Sequence, residues 1–495
     1  MSLRFGSLFR QKCDISGGPH FKATSDLTVI RGQQFSGIEA RLEMVQGFCQ
    51  NGVLSDHLTW RTPVEKDSKR IAEILVGLSD INLIGVEENP GEPLRTHIES
   101  CFSRPRCPSC GGRVHQNGLR TVELVDLPAF GRNVCIIWSK RRWRCALKEC
   151  PQPSFSDDDP RIAISRLRLS DRAGRWVTQA VGLERRSVSS VAKELGCDWH
   201  TINDAVIAYG GPMVDDPLRF GEVDALGLDE ILFYREGKYH RQNWATTIVD
   251  VRSSTLLDVV PGRGGEHPKA WIMDQGQSWR DGVRWGTLDL SGGYRSVFRT
   301  MLPNTTLVAD PFHVIKIANK RLDECRRRVQ TEIFGSRGRA GDPLYRIRRL
   351  LTMANERITE HSKEKLVGLL RAGDPDNEVT TAWRAKEALR ELYAICDPGL
   401  AAEYADSLFS EFTNEENPPE VRLLGRTLTS WKAEILAWHS SLVTNAPTEA
   451  MNNLAKLIKR VAFGMTNFCN FRIRALLTAG KVNWELLATV TPMPR

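Results

Sequence analysis

Two cysteine pairs constrain this chain more than any other feature. CPSCGG sets Cys107 and Cys110 on one tight turn, and Cys145 and Cys150 follow after the strand-like segments TVELVDLP and NVCIIW. Each turn can present two thiolates, so the four can converge tetrahedrally on one ion. That is the requirement of a zinc ribbon holding structural Zn²⁺. Pro108 fixes the first turn, and the glycines after Cys110 let backbone amides approach the sulfurs. Cys135 falls inside a strand pattern and reads as core, with His115 a lesser substitute ligand.

A ribbon is a small part of 495 residues. A chain of this length exceeds one hydrophobic core and implies three or more domains. The opening MSLRFGSLFRQK lacks the apolar stretch of a signal peptide, and no run nears the roughly 20 apolar residues of a membrane span. The expectation is a cytoplasmic, nucleoid-associated protein with no membrane partner. Its 12 cysteines, in a reducing compartment, read as metal ligands where they cluster. Residues 1–70 show no sustained periodicity and stay an unassigned, disorder-prone extension. The ribbon domain is expected over 71–160.

Charge is uneven. Residues 132–148 carry six Lys/Arg and no acid, including Arg141, Arg142 and Arg144 interleaved with Trp143; residues 316–349 carry eleven Lys/Arg against four acids. Basic patches with interleaved aromatics suit nucleic acid, while solvated faces are the plainer reading. Over 161–215, SVSSVAKEL predicts a short helix with Val188, Val191, Ala192 and Leu195 on one face. Gly196 turns the chain, and Asp198 caps a second helix. This is a helix-turn-helix pattern, or an ordinary helical hairpin. As a DNA reader it would expose Trp199, His200, Thr201 and Asn203.

From residue 216 to 314 the pattern turns to strands. ALGLDEILFY, NWATTIVDV and LLDVVPG form an antiparallel meander, followed by a helix, VRWGTLDL, a second helix and TTLVAD. Acids in the first strand (Asp229) and at the end of the fourth (Asp289) describe an RNase H-like core, in which those strands are neighbours. Facing carboxylates repel, and Mg²⁺ or Mn²⁺ relieves that cost while favouring phosphate chemistry. Glu230 adjoins Asp229 but points to the other face of the strand. A third acid is expected from TNAPTEAMNNLAKLIKR, where Glu449 sits in the first turns of a helix that also carries Asn452, Lys456, Lys459 and Arg460.

Together CPSCGG, SVSSVAKELGCDWHTINDAV, LGLDE, TLDLSGGYR, VADPFHVIKIAN and NAPTEAMNNLAKLIKR make the chain resemble a bacterial insertion-sequence transposase of the ISL-three group, from about residue 75 onward. The resemblance implies a multidomain α/β protein: zinc ribbon, helix-turn-helix, and an RNase H-like domain (216–314 and 441–495) interrupted by an all-helical insertion (315–440). It implies Asp229, Asp289 and Glu449 as catalytic, magnesium-binding acids. In DPFH, His313 is read as touching the scissile phosphate or orienting DNA. Asp310 is read as a supporting acid, a rival to Asp289, or a helix cap beside a packed histidine. Ala446 replaces a customary glycine, which would strain the backbone there if φ were positive.

The implied function is a DDE transposase that binds terminal inverted repeats and cuts and joins double-stranded DNA as a dimer or higher oligomer. The alternative is an inert zinc-ribbon and helix-turn-helix regulator.

Overall fold

The computed structural model describes residues 66–78, 81–101, 104–336 and 338–494. The expected N-terminal extension therefore lies outside the described residues up to position 65. The chain divides into two compact units after Gly77. In the described part of the first, helix α1 (Ser68–Val76) is capped by Asp67, whose carboxylate accepts from the Arg70 amide at 2.7 Å.

The second unit opens with a mixed sheet. Its strands are β1 (Ile81–Glu87), β2 (Leu94–Ser100), β3 (Val114–Ala129), β4 (Arg132–Cys145) and β5 (Ser154–Ser156). They run in the order β1-β2-β4-β3, with β5 on β4 and with β2 parallel to β4. The long β3–β4 hairpin carries the cysteine turns at its open end and buries Leu124, Ile136 and Trp138 further along.

Three helices follow: α2 (Asp171–Gly182), α3 (Val188–Leu195) and α4 (Trp199–Val214). The apolar face expected for α3 is buried. Gly196 then takes a left-handed conformation, φ 68°, and its N–H closes the helix on the Ala192 and Lys193 carbonyls. A side chain there would also collide with the Asn133 amide, so the turn lies against the start of β4. Helix α4 buries residues on nearly every side, among them Ile202, Ala205, Val206 and Tyr209.

A second sheet comprises β6 (Ala225–Glu236), β7 (Arg241–Asp250), β8 (Thr255–Pro261), β9 (Trp285–Leu288) and β10 (Thr306–Ala309). Its order is β10-β9-β6-β7-β8, antiparallel through β6–β8 and parallel through β6, β9 and β10. This is the RNase H-like sheet that the acid-bearing strands predicted. Helices α5 (Glu266–Asp274) and α6 (Gln277–Gly282) precede β9, and α7 (Gly292–Met301) connects it to β10. Helix α8 (Pro311–Phe334) then leads into an all-helical segment from α9 (Pro343–Arg346) to α15 (Lys432–Ser441). The chain returns through α16 (Ala446–Val461) and α17 (Phe468–Ala479).

Strand alternation gives this sheet two apolar faces. Leu226, Leu228, Ile248 and Leu257 pack with α7 and the helical segment, whereas Ile231, Phe233, Val249 and Val259 pack with α2–α4, α16 and α17. The basic start of the helical segment is open only in part. Arg326 and Arg327 pair with Asp323 at 2.7 and 2.6 Å, and Arg321 pairs with Glu324 at 2.6 Å. Arg328 pairs with Glu378 and Glu420 at 2.7 and 2.8 Å. Acids one helical turn away, or on helices packed alongside, thus neutralise the four central arginines, while Lys316, Arg339, Arg346 and Arg349 stay exposed.

Helix α16 seats on β6 at one glycine. A Cβ on Gly227 would fall inside the radius of Thr448 Oγ1, 2.9 Å from Val251 Cγ2 and 3.0 Å from Thr287 Oγ1. Gly227→Ala is therefore expected to lift the start of α16 and destabilise the fold by about 1–3 kcal/mol. Thr448→Ala, which removes a buried hydroxyl with no partner, should restore part of that loss. Denaturant melts of the two single variants and the double variant measure the coupling; strictly additive effects would remove this contact as the cause.

Candidate functional site

The start of α16 is held by the ends of the two parallel strands. The Asn445 amide donates to Asp310 Oδ1 at 2.9 Å, across 135 positions of chain. The Thr287 hydroxyl on β9 donates to Asn445 Oδ1 at 3.2 Å. Asp310 also caps α8: its Oδ2 accepts from the His313 amide at 3.2 Å and lies 3.1 Å from His313 Nδ1. Both oxygens of this buried carboxylate are thus occupied within the protein. The other ring nitrogen, Nε2, lies 3.7 Å from Glu449 Oε1. Glu449 occupies the first turn of α16 with its side chain 44% exposed.

Asp229 lies in the middle of β6. Its Oδ1 accepts from the Glu230 amide at 2.7 Å, and its Oδ2 accepts from Asn452 Nδ2 at 2.7 Å. The Thr247 hydroxyl, opposite on β7, donates to Asn452 Oδ1 at 2.7 Å, which orients that amide with its donor toward Asp229. Asp289 immediately follows β9, and its Oδ1 is buried with no hydrogen-bond partner among the described residues.

Burial dominates at the two strand acids. It pushes the Asp229 carboxyl up to about 6, with the Asp289 charge adding to the rise and the charge of His313 opposing it. Burial also raises Asp289. At Asp310 burial acts against ionisation, but the hydrogen bonds from His313 and Asn445 outweigh it and hold the carboxyl below its usual range. The Asp310 hydrogen bond in turn raises the His313 imidazole. The site therefore contains two carboxylates that resist charging and one buried acceptor oxygen without a donor. That donor set fits an oxygen-seeking divalent cation.

The four cysteines meet as expected. Their sulfurs all lie within 4.8 Å of one another, with Cys107 3.6 Å from Cys150 and Cys110 3.5 Å from Cys145. Among the described residues no other group of three or more ligating side chains is as close. Gly111 adopts φ 68°, and a Cβ on Gly112 would come 3.3 Å from the Cys110 sulfur. The Cys110 amide, aided by that of Ser109, draws the Cys107 thiol down to about 7. The Leu147 amide lowers Cys145, but burial and the neighbouring thiols override it and push that group up to about 12. Four thiols this close cannot all ionise without a cation. His115 lies outside the cluster, 3.2 Å from Arg104, and Cys135 is half-buried in β4.

Several residues expected to face DNA point inward instead. Asn452 is 3% exposed and engaged with Asp229 and Thr247. Thr201 is buried with its hydroxyl on Asp198 at 2.9 Å, and buried Asn203 accepts from Asn470 at 3.2 Å. Arg141 is tied to Asp157 at 2.9 Å, and the Lys459 ammonium donates to the Leu232 carbonyl. Arg142, Arg144, Trp199, His200, Lys456 and Arg460 are exposed. Glu230 is also exposed, on the side of the strand away from Asn452. Ala446 opens α16 and is not among the positive-φ residues, so the strain anticipated there is absent.

Thr247 and Gly227 are not among the residues expected from the sequence, and Asn445 is expected there only as a residue that opens the helix of Glu449. Of the first two, only Gly227 left a trace in the sequence, as a glycine inside an otherwise apolar strand.

Comparison with known proteins agrees with this geometry. The model of the ISL3-type DDE transposase family matches residues 226–475, from the second residue of β6 into α17. The chain belongs to that family. A second model, the zinc-finger of transposases IS204/IS1001/IS1096/IS1165, matches residues 103–150 and contains all four cysteines. The ribbon in this family member is therefore a structural zinc site.

The transposase for insertion sequence element IS1557 from two Mycobacterium tuberculosis strains, CDC 1551 / Oshkosh and ATCC 25618 / H37Rv, is 24% identical over 298 residues. The match covers 56% of this chain and 65% of those relatives, slightly under two thirds of their length. A Drosophila P element transposase strand transfer complex aligns over 63% of this chain and 92% of its own, with 9% identity and a TM-score of 0.36. That likeness is too slight to support an argument. No described helix is long and apolar enough to cross a membrane.

The raised Asp229 carboxyl has a stability consequence. An unfolded Asp titrates near 4, whereas in the fold this group keeps its proton up to about 6. The folded state binds more protons across that window, so in magnesium-free buffer its stability falls as pH rises from about 4 through 6. Asp229→Asn removes this loss. It is expected to be on the order of 1–3 kcal/mol more stable than wild type at pH 7.5, with the gap closing at pH 4.5. Paired urea melts at the two pH values measure it; a gap independent of pH contradicts the assignment.

Proposed function

We propose that this chain is the transposase of a bacterial insertion sequence, cutting DNA at the element's ends and joining those ends to target DNA. The observation that carries the reading is the convergence of three acids from distant segments. Asp229 comes from β6, Asp289 from the end of β9 and Glu449 from α16, and His313 acts electrostatically on all three. Family membership supports it independently. Nothing in the site favours the inert-regulator alternative.

In this reading Asp229, Asp289 and Glu449 hold Mg²⁺ or Mn²⁺. When bound, the cation supplies charge neutralisation at the phosphodiester and activation of the attacking oxygen. The chain's own residues set the geometry. Asn452 and the Glu230 amide fix the Asp229 carboxylate, and Asp310 fixes His313, whose Nε2 faces Glu449. Asp310 is thus the supporting acid and helix cap rather than the second metal acid, because both its oxygens are already occupied. His313, with Nε2 3.7 Å from Glu449 Oε1, can donate toward a phosphate oxygen.

Water adds to phosphorus at the element boundary, the P–O bond to the 3′ oxygen breaks, and a 3′ hydroxyl is released. That hydroxyl then displaces a 3′ oxygen in target DNA, so one phosphodiester is exchanged for another. The zinc ribbon and the exposed first turn of α4 would read the inverted repeats. Two ends must be held together, which calls for a dimer or larger assembly.

The test is cleavage of labelled DNA carrying the element's ends, with Mg²⁺, by wild type, Asp289→Ala and Glu449→Gln. Wild type should cut at the repeat boundary, and either variant should lose at least about a hundredfold in rate. Binding of the ends by wild type without any cutting would favour the regulator.

A further inference from the structure

The β6–β7 hairpin outgrows its own sheet. On one side β9 pairs only with Ala225–Gly227 of β6, and on the other β8 reaches no further along β7 than Ala245. Beyond those limits β6 and β7 pair only with each other, out to Glu236 and Arg241. A two-stranded ribbon without sheet neighbours is marginal by itself, so its tip is free to serve a partner rather than the core.

The tip is strongly cationic. Arg235, Lys238 and Arg241 are exposed, and although the two arginines stand in the β6–β7 ladder, the three side chains have no hydrogen-bond or ion-pair partner among the described residues. The acid between them, Glu236, instead accepts from Asn243 at 3.3 Å. Tyr239 is 91% exposed at the crest. An unpartnered aromatic among unpaired cations contrasts with the start of α8, where the arginines are consumed by acids.

Helix α16 reinforces the same end of the molecule. It starts beside Gly227 and reaches Leu232 at Lys459, so it runs alongside β6 in the same direction. It ends at exposed Arg460 and at Phe463, which is 94% exposed and held at φ 52°. Left-handed backbone and full solvent exposure are both unfavourable for phenylalanine. Neither gains anything within the chain.

We infer that this hairpin and the α16–α17 turn form a ridge that grips duplex DNA at a set distance from the acids. The inference rests on the transposase reading. From Asp229 to Glu236 is seven residues of strand, about 23 Å at 3.3 Å per residue. From Glu449 to Phe463 is fourteen residues, about 21 Å at the helical rise of 1.5 Å. Measured each from its own acid, the two paths are of similar length, roughly six to seven steps of a duplex at 3.4 Å each. Arg235, Lys238, Arg241 and Arg460 would meet the phosphates, and Tyr239 and Phe463 would pack on exposed sugar and base surfaces.

The experiment uses the full chain, loaded with zinc, and end DNA labelled at the cut strand. Wild type is compared with the triple variant Arg235→Ala/Lys238→Ala/Arg241→Ala and with Tyr239→Ala. Hydroxyl-radical footprinting should show protection about six to seven base pairs from the cut, lost in the triple variant and weakened in Tyr239→Ala. The slope of log affinity against log salt should become shallower by about 3 in the triple variant. Zinc content and melting temperature should be unchanged, since these side chains bury nothing.

Wild type that cuts end DNA with the same footprint and salt slope as the triple variant overturns the ridge while leaving the transposase reading intact. Wild type that neither binds nor cuts end DNA overturns both. An unchanged footprint accompanied by altered sedimentation of the triple variant would assign the hairpin to a second copy of this chain instead, and also overturns the proposal.

Discussion

The hydrogen bond from the Asn445 amide to Asp310 carries more of this structure than any other single contact. It joins the end of a parallel strand to the start of a helix 135 positions later. A helical segment of the size of a small domain lies between them, and the closure of so long a loop must be offset locally by contacts at its ends. Asp310 provides that closure with one oxygen and orients His313 with the other. Burial would ordinarily neutralise such a carboxyl, but two kinds of donor keep it charged. The strand end thereby becomes a fixed anchor for both the histidine and the acid-bearing helix.

The rest of the site follows from where α16 is allowed to sit. Gly227 gives it a seat without side-chain bulk, and Asn452 reaches the first acid from the same helix that carries the third. The two apolar layers flanking the sheet separate the tasks. One buries the helical segment, while the other unites α2–α4 with α16 and α17 in a common core. The segment that would read DNA and the helix that bears Glu449 are therefore parts of one packed body.

Much of this was legible from residues alone, for identifiable physical reasons. An Asp inside an apolar strand such as ALGLDEILFY is costly unless it has a purpose, and the order of strands placed it beside Asp289. Four cysteines on turns have few alternatives to a metal. Side-chain direction on helices was harder. Asn452 and Asn203 are polar and could face either solvent or a buried partner, and those partners lie 223 and 267 positions away in sequence. In α4 the sequence does carry a cue: Ile202, Ala205, Val206, Ile207 and Ala208 leave little polar face, so only its first turn can be open. Arg328 of α8 looked available because its partners Glu378 and Glu420 are remote in sequence.

Asp310 docks the start of α16 and so places Glu449. Amide hydrogen exchange across residues 445–452, in wild type and Asp310→Ala, tests this docking without recourse to catalysis. Losing a buried, charged acceptor costs about 1–3 kcal/mol, so exchange over the first turns of α16 should accelerate roughly tenfold to a hundredfold while the zinc ribbon keeps its protection. Unchanged protection at Asn445 and along α16 would contradict it and leave Asp310 as a cap for α8 alone.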